Sequence, residues 1–154
     1  MVYTFAMLYK KLLEVTGIGV TEIYYYEPGN AKVLAEEMLK YWYKLVTWWT
    51  DNHMIVMDFS AEWFTWWDIE KVLDKVWIST SKSTIPDDPN PPFNPSGLRI
   101  GMQAMTTRGV KEDDTKHIAR FIHEAIQNRN DEEKLKVIHA EVIECCSHFP
   151  IPSV

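Results

Sequence analysis

Glu144, Cys145 and His148 lie close together in the stretch ECCSH near the end of the chain. On a helix that spacing turns two or three of them to one face, where they could share a metal ion. The further Cys or His residues of a closed metal site are missing, so a surface or half-buried structural role is the better reading. Cys145 could act as a nucleophile only beside a base and an oxyanion hole, and no residue pattern marks either. His117 and His123 point to different sides of their helix and read as ordinary surface histidines. TGIG (16–19) starts like a phosphate-binding loop but lacks the third glycine and a clear preceding strand, so it reads as a helix stop. The remaining chemistry is aromatic. All seven tryptophans lie between Trp42 and Trp77. Trp48, Trp49, Trp63, Trp66 and Trp67 could stack on a ligand or on bases, but core packing or an apolar interface patch is the simpler reading.

The elements that must position these residues follow from periodicity. Phe5, Leu8, Tyr9 and Leu12 predict a helix over 3–15, ended by TGIG. VTEIYYY (20–26) has β-propensity, and EPGN (27–30) predicts a turn with Asn30 as N-cap. A helix over 31–41 follows, with Val33, Leu34, Met38 and Tyr41 on its apolar side. KLVT (44–47) and MIVMDF (54–59) predict strands. Thr65 and Asp68 form a capping-box pattern that opens a helix. VWIST (76–80) predicts a short strand, IPDDPNPPFNPSG (85–97) a long proline loop, and LRIGMQ (98–103) another strand. Residues 106–128 predict a turn and an amphipathic helix. Residues 131–149 predict a last helix, acidic at its start as the macrodipole favours. The sum is an α+β fold: a two-layer sandwich whose small, mostly antiparallel sheet carries helices on one face.

At 154 residues the chain is long enough for one domain with its own core. A net charge of −6 disfavours nucleic acid and anionic membrane surfaces. No apolar run approaches a transmembrane span, and the N-terminus does not read as a signal peptide. Adjacent Cys145 and Cys146 rarely bridge, which suits a reduced, cytoplasmic protein.

Three segments go beyond fold class. Residues 30–59 (with TDNH), 65–101 (with PSGLRIG) and 104–126 (with TTRG) resemble, in order, the C-terminal small domain of serine hydroxymethyltransferase. The tail LKVIHAEVIECCSHFPIP is similar to that family's closing helix. The resemblance covers roughly 30–152 and leaves 1–29 poorly matched. It implies a pyridoxal-phosphate enzyme that moves one carbon between serine and tetrahydrofolate. Arg99 would then hold the substrate carboxylate, a task suited to the guanidinium fork. The family's Asn-Lys-Asn-Thr before the proline loop contributes to the folate pocket. Here the stretch is Ser81, Lys82, Ser83 and Thr84, so Lys82 and Ser83 occupy an altered pocket. Gly101, Met102, Gln103 and Ala104 replace the family's Gly-Thr-Pro-Ala. The stretch carrying the Schiff-base lysine is not found in these residues. The resemblance therefore implies no cofactor for this chain unless a partner chain brings a large domain.

Set along the family pattern, six of the seven tryptophans fall where glycine is usual: Trp42, Trp48, Trp49, Trp63, Trp66 and Trp77. Trp is the worst replacement where φ is positive or backbones approach closely. The pattern points first to a redesigned, non-enzymatic domain built on this fold, associating with itself through apolar surface as a homodimer. The alternatives are a natural fragment or split subunit of the transferase, with Arg99 as carboxylate ligand, and a binding module using the tryptophans.

Overall fold

The computed structural model describes residues 20–62 and 65–151, with side chains from Gly29 onward except that of Trp66. The helix expected over 3–15 and the TGIG stop lie outside the described residues. Five helices and three strands follow: α1 (Val20–Lys40), β1 (Met54–Asp58), α2 (Trp66–Lys75), β2 (Ser81–Ser83), β3 (Gly97–Gly101), α3 (Gln103–Thr107), α4 (Glu112–Gln127) and α5 (Glu132–Ser147). The sheet is antiparallel in the order β1-β3-β2. Helix α1 packs on β1 and α4, α2 on β2, β3 and α4, and α5 on α4. This is the expected α+β arrangement.

Local sequence explains most of the elements. Thr65 caps α2: its backbone N–H donates to Asp68 Oδ2 at 2.9 Å, and its Oγ accepts from the Asp68 N–H at 3.4 Å. Asp131 Oδ1 accepts the Lys134 N–H at 3.0 Å and starts α5. Helix α4 opens on Glu112, Asp113 and Asp114, as the positive end of a helix dipole favours. Its apolar stripe, Ala119, Phe121, Ile122, Ala125 and Ile126, is buried. It meets Leu34 and Met38 of α1, Ile69 and Leu73 of α2, and the core face of the sheet in one apolar cluster. Fully burying such a Leu, Ile or Met contributes about 1.5–3 kcal/mol.

Four expectations are corrected. Residues 20–30 are not a strand and a turn; they belong to α1. Asn30 is not an N-cap. It is fully buried, and its Nδ2 donates to Thr106 Oγ1 at 2.9 Å and to the Val110 carbonyl at 2.8 Å. These long-range bonds and the packing of Ala31 and Leu34 outweigh the turn propensity of EPGN. KLVT forms a single bridge, Leu45 to Met57, rather than a strand. VWIST is not a strand either: Val76 caps α2, and the edge strand begins at Ser81.

The ends of α1, α2 and α3 share one geometry. At α1 the Trp42 N–H donates to Leu39 O at 3.0 Å and the Tyr43 N–H to Met38 O at 3.1 Å. At α2 the Trp77 N–H donates to Asp74 O and the Ile78 N–H to Leu73 O; at α3 Gly109 and Val110 repeat the pair with Thr106 and Met105. Each is a Schellman turn, which needs a left-handed residue just past the helix. Gly109 supplies it at φ 96°, but Trp42 and Trp77 supply the others at 66° and 63°. Trp48 and Trp49 have no such strain, so only some of the tryptophans stand where the backbone itself calls for glycine.

Candidate functional site

Register splits the sheet into two faces. Ile55, Met57, Leu98 and Ile100 face the helices and are buried. Val56, Arg99 and Ser81 lie side by side on the opposite face. Arg99 is exposed there, and its Nε donates to Ser81 Oγ at 3.0 Å. No carboxylate lies within ion-pair distance of it among the described residues.

The motif around Arg99 is built for that placement. Asp88 in the proline loop accepts the Ser96 N–H at 2.9 Å and the Ser96 hydroxyl at 2.7 Å, along with the Asn90 N–H at 3.0 Å. Burial alone would raise the Asp88 carboxyl, but these hydrogen bonds outweigh it and bring the pKa down to about 2. Next to Ser96, a Cβ on Gly97 would come within 2.5 Å of the Ser83 carbonyl oxygen, so the close approach of β2 to β3 requires glycine.

The TDNH segment closes the other side. Thr50 Oγ1 donates to Met54 O at 2.8 Å, and Asn52 Oδ1 accepts the Met54 N–H at 3.0 Å. His53 O then accepts the Met102 N–H at 2.8 Å, tying this turn to the end of β3. Together the segments enclose an open cleft of about 320 Å³ on the exposed sheet face, with His53, Thr80, Ser81, Arg99 and Gln103 among its walls. The Thr80 hydroxyl is buried and has no partner. The cleft thus offers a guanidinium, a hydroxyl, an imidazole and an amide to a small polar ligand.

Arg99 is the expected site residue that lies in this cleft. Lys82 and Ser83 are on the same strand as Ser81 but do not line it: Lys82 Nζ reaches the Phe93 carbonyl at 3.2 Å, and the Ser83 hydroxyl the Thr84 carbonyl. Thr80 was not singled out from sequence; TDNH marked His53, and the stretch Gly101–Ala104 marked Gln103, but only as part of the resemblance.

The other candidates are placed apart. Glu144, Cys145 and His148 form no metal-binding group among the described residues. Burial pushes the Cys145 thiol above its ordinary value, which disfavours a nucleophilic thiolate. His117 is exposed, but His123 is not an ordinary surface histidine. Its ring stacks on Tyr41 at 4.0 Å, its Nδ1 lies 3.2 Å from Tyr43 Oη, and burial lowers its pKa. Of the tryptophan side chains, the structure describes those of Trp42, Trp48, Trp49, Trp67 and Trp77. Trp48 and Trp49 meet at 6.1 Å, while Trp77 packs edge-on against His139.

Pyridoxal phosphate requires a lysine amine beside the carboxylate receptor. Every described lysine is at the surface and none lines the Arg99 cleft, so these residues do not by themselves fit the cofactor.

The profile of the serine hydroxymethyltransferase family matches residues 25–122. A serine hydroxymethyltransferase of Acidobacterium capsulatum is 41% identical over 122 residues, which is 79% of this chain and 29% of that protein. The chain thus spans less than a third of that relative's length. Since the profile covers more than half of its residues, the chain belongs to the serine hydroxymethyltransferase family.

Proposed function

We propose that this chain is the small domain of a pyridoxal-phosphate-dependent serine/glycine hydroxymethyltransferase, and that Arg99 holds the amino-acid carboxylate when a cofactor-bearing large domain completes the site. The observation that carries the reading is Arg99 itself: an exposed guanidinium on the sheet face opposite the apolar core, oriented by Ser81, with no acidic partner among the described residues. A substrate carboxylate would accept two parallel hydrogen bonds from it. The cofactor supplies the carbanion chemistry; this chain binds and orients the amino acid and excludes water from one side. Alone, the chain should cleave no serine and form no stoichiometric adduct with pyridoxal phosphate. The test is to mix the two, reduce with borohydride and map labelled lysines by mass spectrometry. Weak labelling spread over surface lysines agrees with the proposal. One fully labelled lysine together with serine cleavage contradicts it.

A second reading is that the domain has been redesigned. It is favoured by Trp42 and Trp77 at left-handed positions, where glycine removes strain. It concerns the origin of the chain and leaves the role of Arg99 unchanged.

A further inference from the structure

Behind the Arg99 cleft lies a separate cavity of about 290 Å³, between α3, α4, α5 and the end of β3. Its walls are mainly apolar, with Ile100, Met102, Ile118, Phe121, Ile122 and Val142 among them. It shares Ser79, Gly101 and Ala104 with the cleft, but not Arg99. One cation lines it, Arg108. This guanidinium donates through Nε to the Phe149 carbonyl and through Nη2 to the Cys146 carbonyl at 3.1 Å; Nη1 lies 3.8 Å from Met105 Sδ. These acceptors are two carbonyl oxygens and a thioether, none of them an anion, and they leave part of the fork unused. No carboxylate is within ion-pair distance of Arg108 among the described residues. The neighbouring acid Asp114 accepts the Lys111 N–H at 3.0 Å.

An apolar cavity with a cation, and with no counter-ion among the described residues, selects for an amphiphile: an apolar body to fill the space, an anion to meet the fork. A cavity of ~150 Å³ takes benzene, so one about twice that size takes a body of roughly ten to twelve carbons. We propose that this cavity binds a small monocarboxylate with an apolar body of that size, its carboxylate on Arg108. The proposal does not depend on the role given to Arg99.

The test uses 1-naphthoate as probe and 1-naphthalenemethanol as its neutral counterpart, with the methionine methyl groups followed by NMR. Met102 and Met105 line the cavity and report directly on it. Naphthoate should shift both methyls saturably and bind at least about tenfold more tightly than the alcohol, the lower end of what a hydrogen bond to a charged group supplies. Val142→Phe fills the cavity without touching the guanidinium and should abolish the shifts. Arg99→Gln removes the guanidinium of the neighbouring cleft and should leave them. Arg108→Gln, if it folds, should keep weak binding and lose the preference for the carboxylate. If it does not fold, the ligand pair on the parent and the Val142→Phe variant decide. Equal affinity for acid and alcohol, shifts that survive Val142→Phe, loss of the shifts in Arg99→Gln, or no saturable shift in the parent would each overturn the proposal.

Discussion

Trp42→Gly should stabilise this protein. Trp42 occupies the left-handed position of the Schellman turn that ends α1, at φ 66°, and its side chain is 94% exposed. The left-handed conformation costs an L-residue roughly 1–2 kcal/mol. Glycine removes that cost but adds about 0.4–1 kcal/mol of unfolded-state entropy. Almost no packing is lost, so the net gain is about 0.5–1 kcal/mol, or roughly 1–4 °C in Tm for a chain of this size. Trp42→Ala keeps the strain and removes the ring, so it should be close to neutral. Trp77 is strained in the same way, but it is only 69% exposed and packs against His139 at 4.9 Å. Burying about a third of a Trp side chain is worth roughly 1.5 kcal/mol, so Trp77→Gly should be neutral to mildly destabilising. Gly109→Ala is the converse control. Nothing lies within 4 Å of the added Cβ, so the φ of 96° alone should cost about 1–2 kcal/mol. Urea denaturation followed by far-UV circular dichroism measures all four without relying on tryptophan emission. If Trp42→Ala gains as much as Trp42→Gly, the exposed ring is the cause and the backbone argument fails. If Trp42→Gly destabilises, α1 does not end in a left-handed residue.

Other consequences follow from single contacts. Asn30→Ala should destabilise by about 1–3 kcal/mol in the same assay, because it leaves the buried Val110 carbonyl without its donor. A loss under a few tenths would mean that bond is not made. Asp88 has a folded pKa of about 2, below its unfolded value, so its contribution is present above the unfolded carboxylate pKa of ~3.9 and lost as pH falls through about 2. Asp88→Asn should lower stability at neutral pH and flatten the acid limb between those values; an unchanged acid limb would mean that the Asp88 hydrogen bonds to Ser96 and Asn90 are not made. Trp42, Trp48, Trp49, Trp77 and Phe93 are exposed, so the mass from light scattering should rise with concentration, and less so in Trp48→Ser/Trp49→Ser. A clean monomer at high concentration counts against such a surface.

How legible each part was in the sequence depended on how local its signal was. The capping residue Thr65, the acidic start of the last helix, the stripe of α4 and the strand MIVMD each act within a few residues, and each is where the sequence places it. VTEIYYYEPGN misled because its β-branched and turn residues are outweighed by contacts about eighty residues away, chiefly Asn30 with Val110. VWIST misled because Val76 and Trp77 close a helix and their β-propensity goes unused. In the site, Arg99 could be found because a short motif carries it. His53, Thr80 and Gln103 come from separate segments that meet only once β1 and β2 pair with β3, and no spacing rule links them.

The claim that Arg99 holds the substrate carboxylate beside a large domain has a direct test. The chain is mixed with a family member's large domain prepared without its own small domain, and one-carbon transfer from serine to tetrahydrofolate is measured. The expected result is no turnover by this chain alone, turnover by the mixture, and a loss of about a hundredfold or more with Arg99→Gln, as when a charge-assisted bidentate pair is broken. Turnover by the chain alone, or an Arg99→Gln mixture as active as the parent mixture, would contradict it.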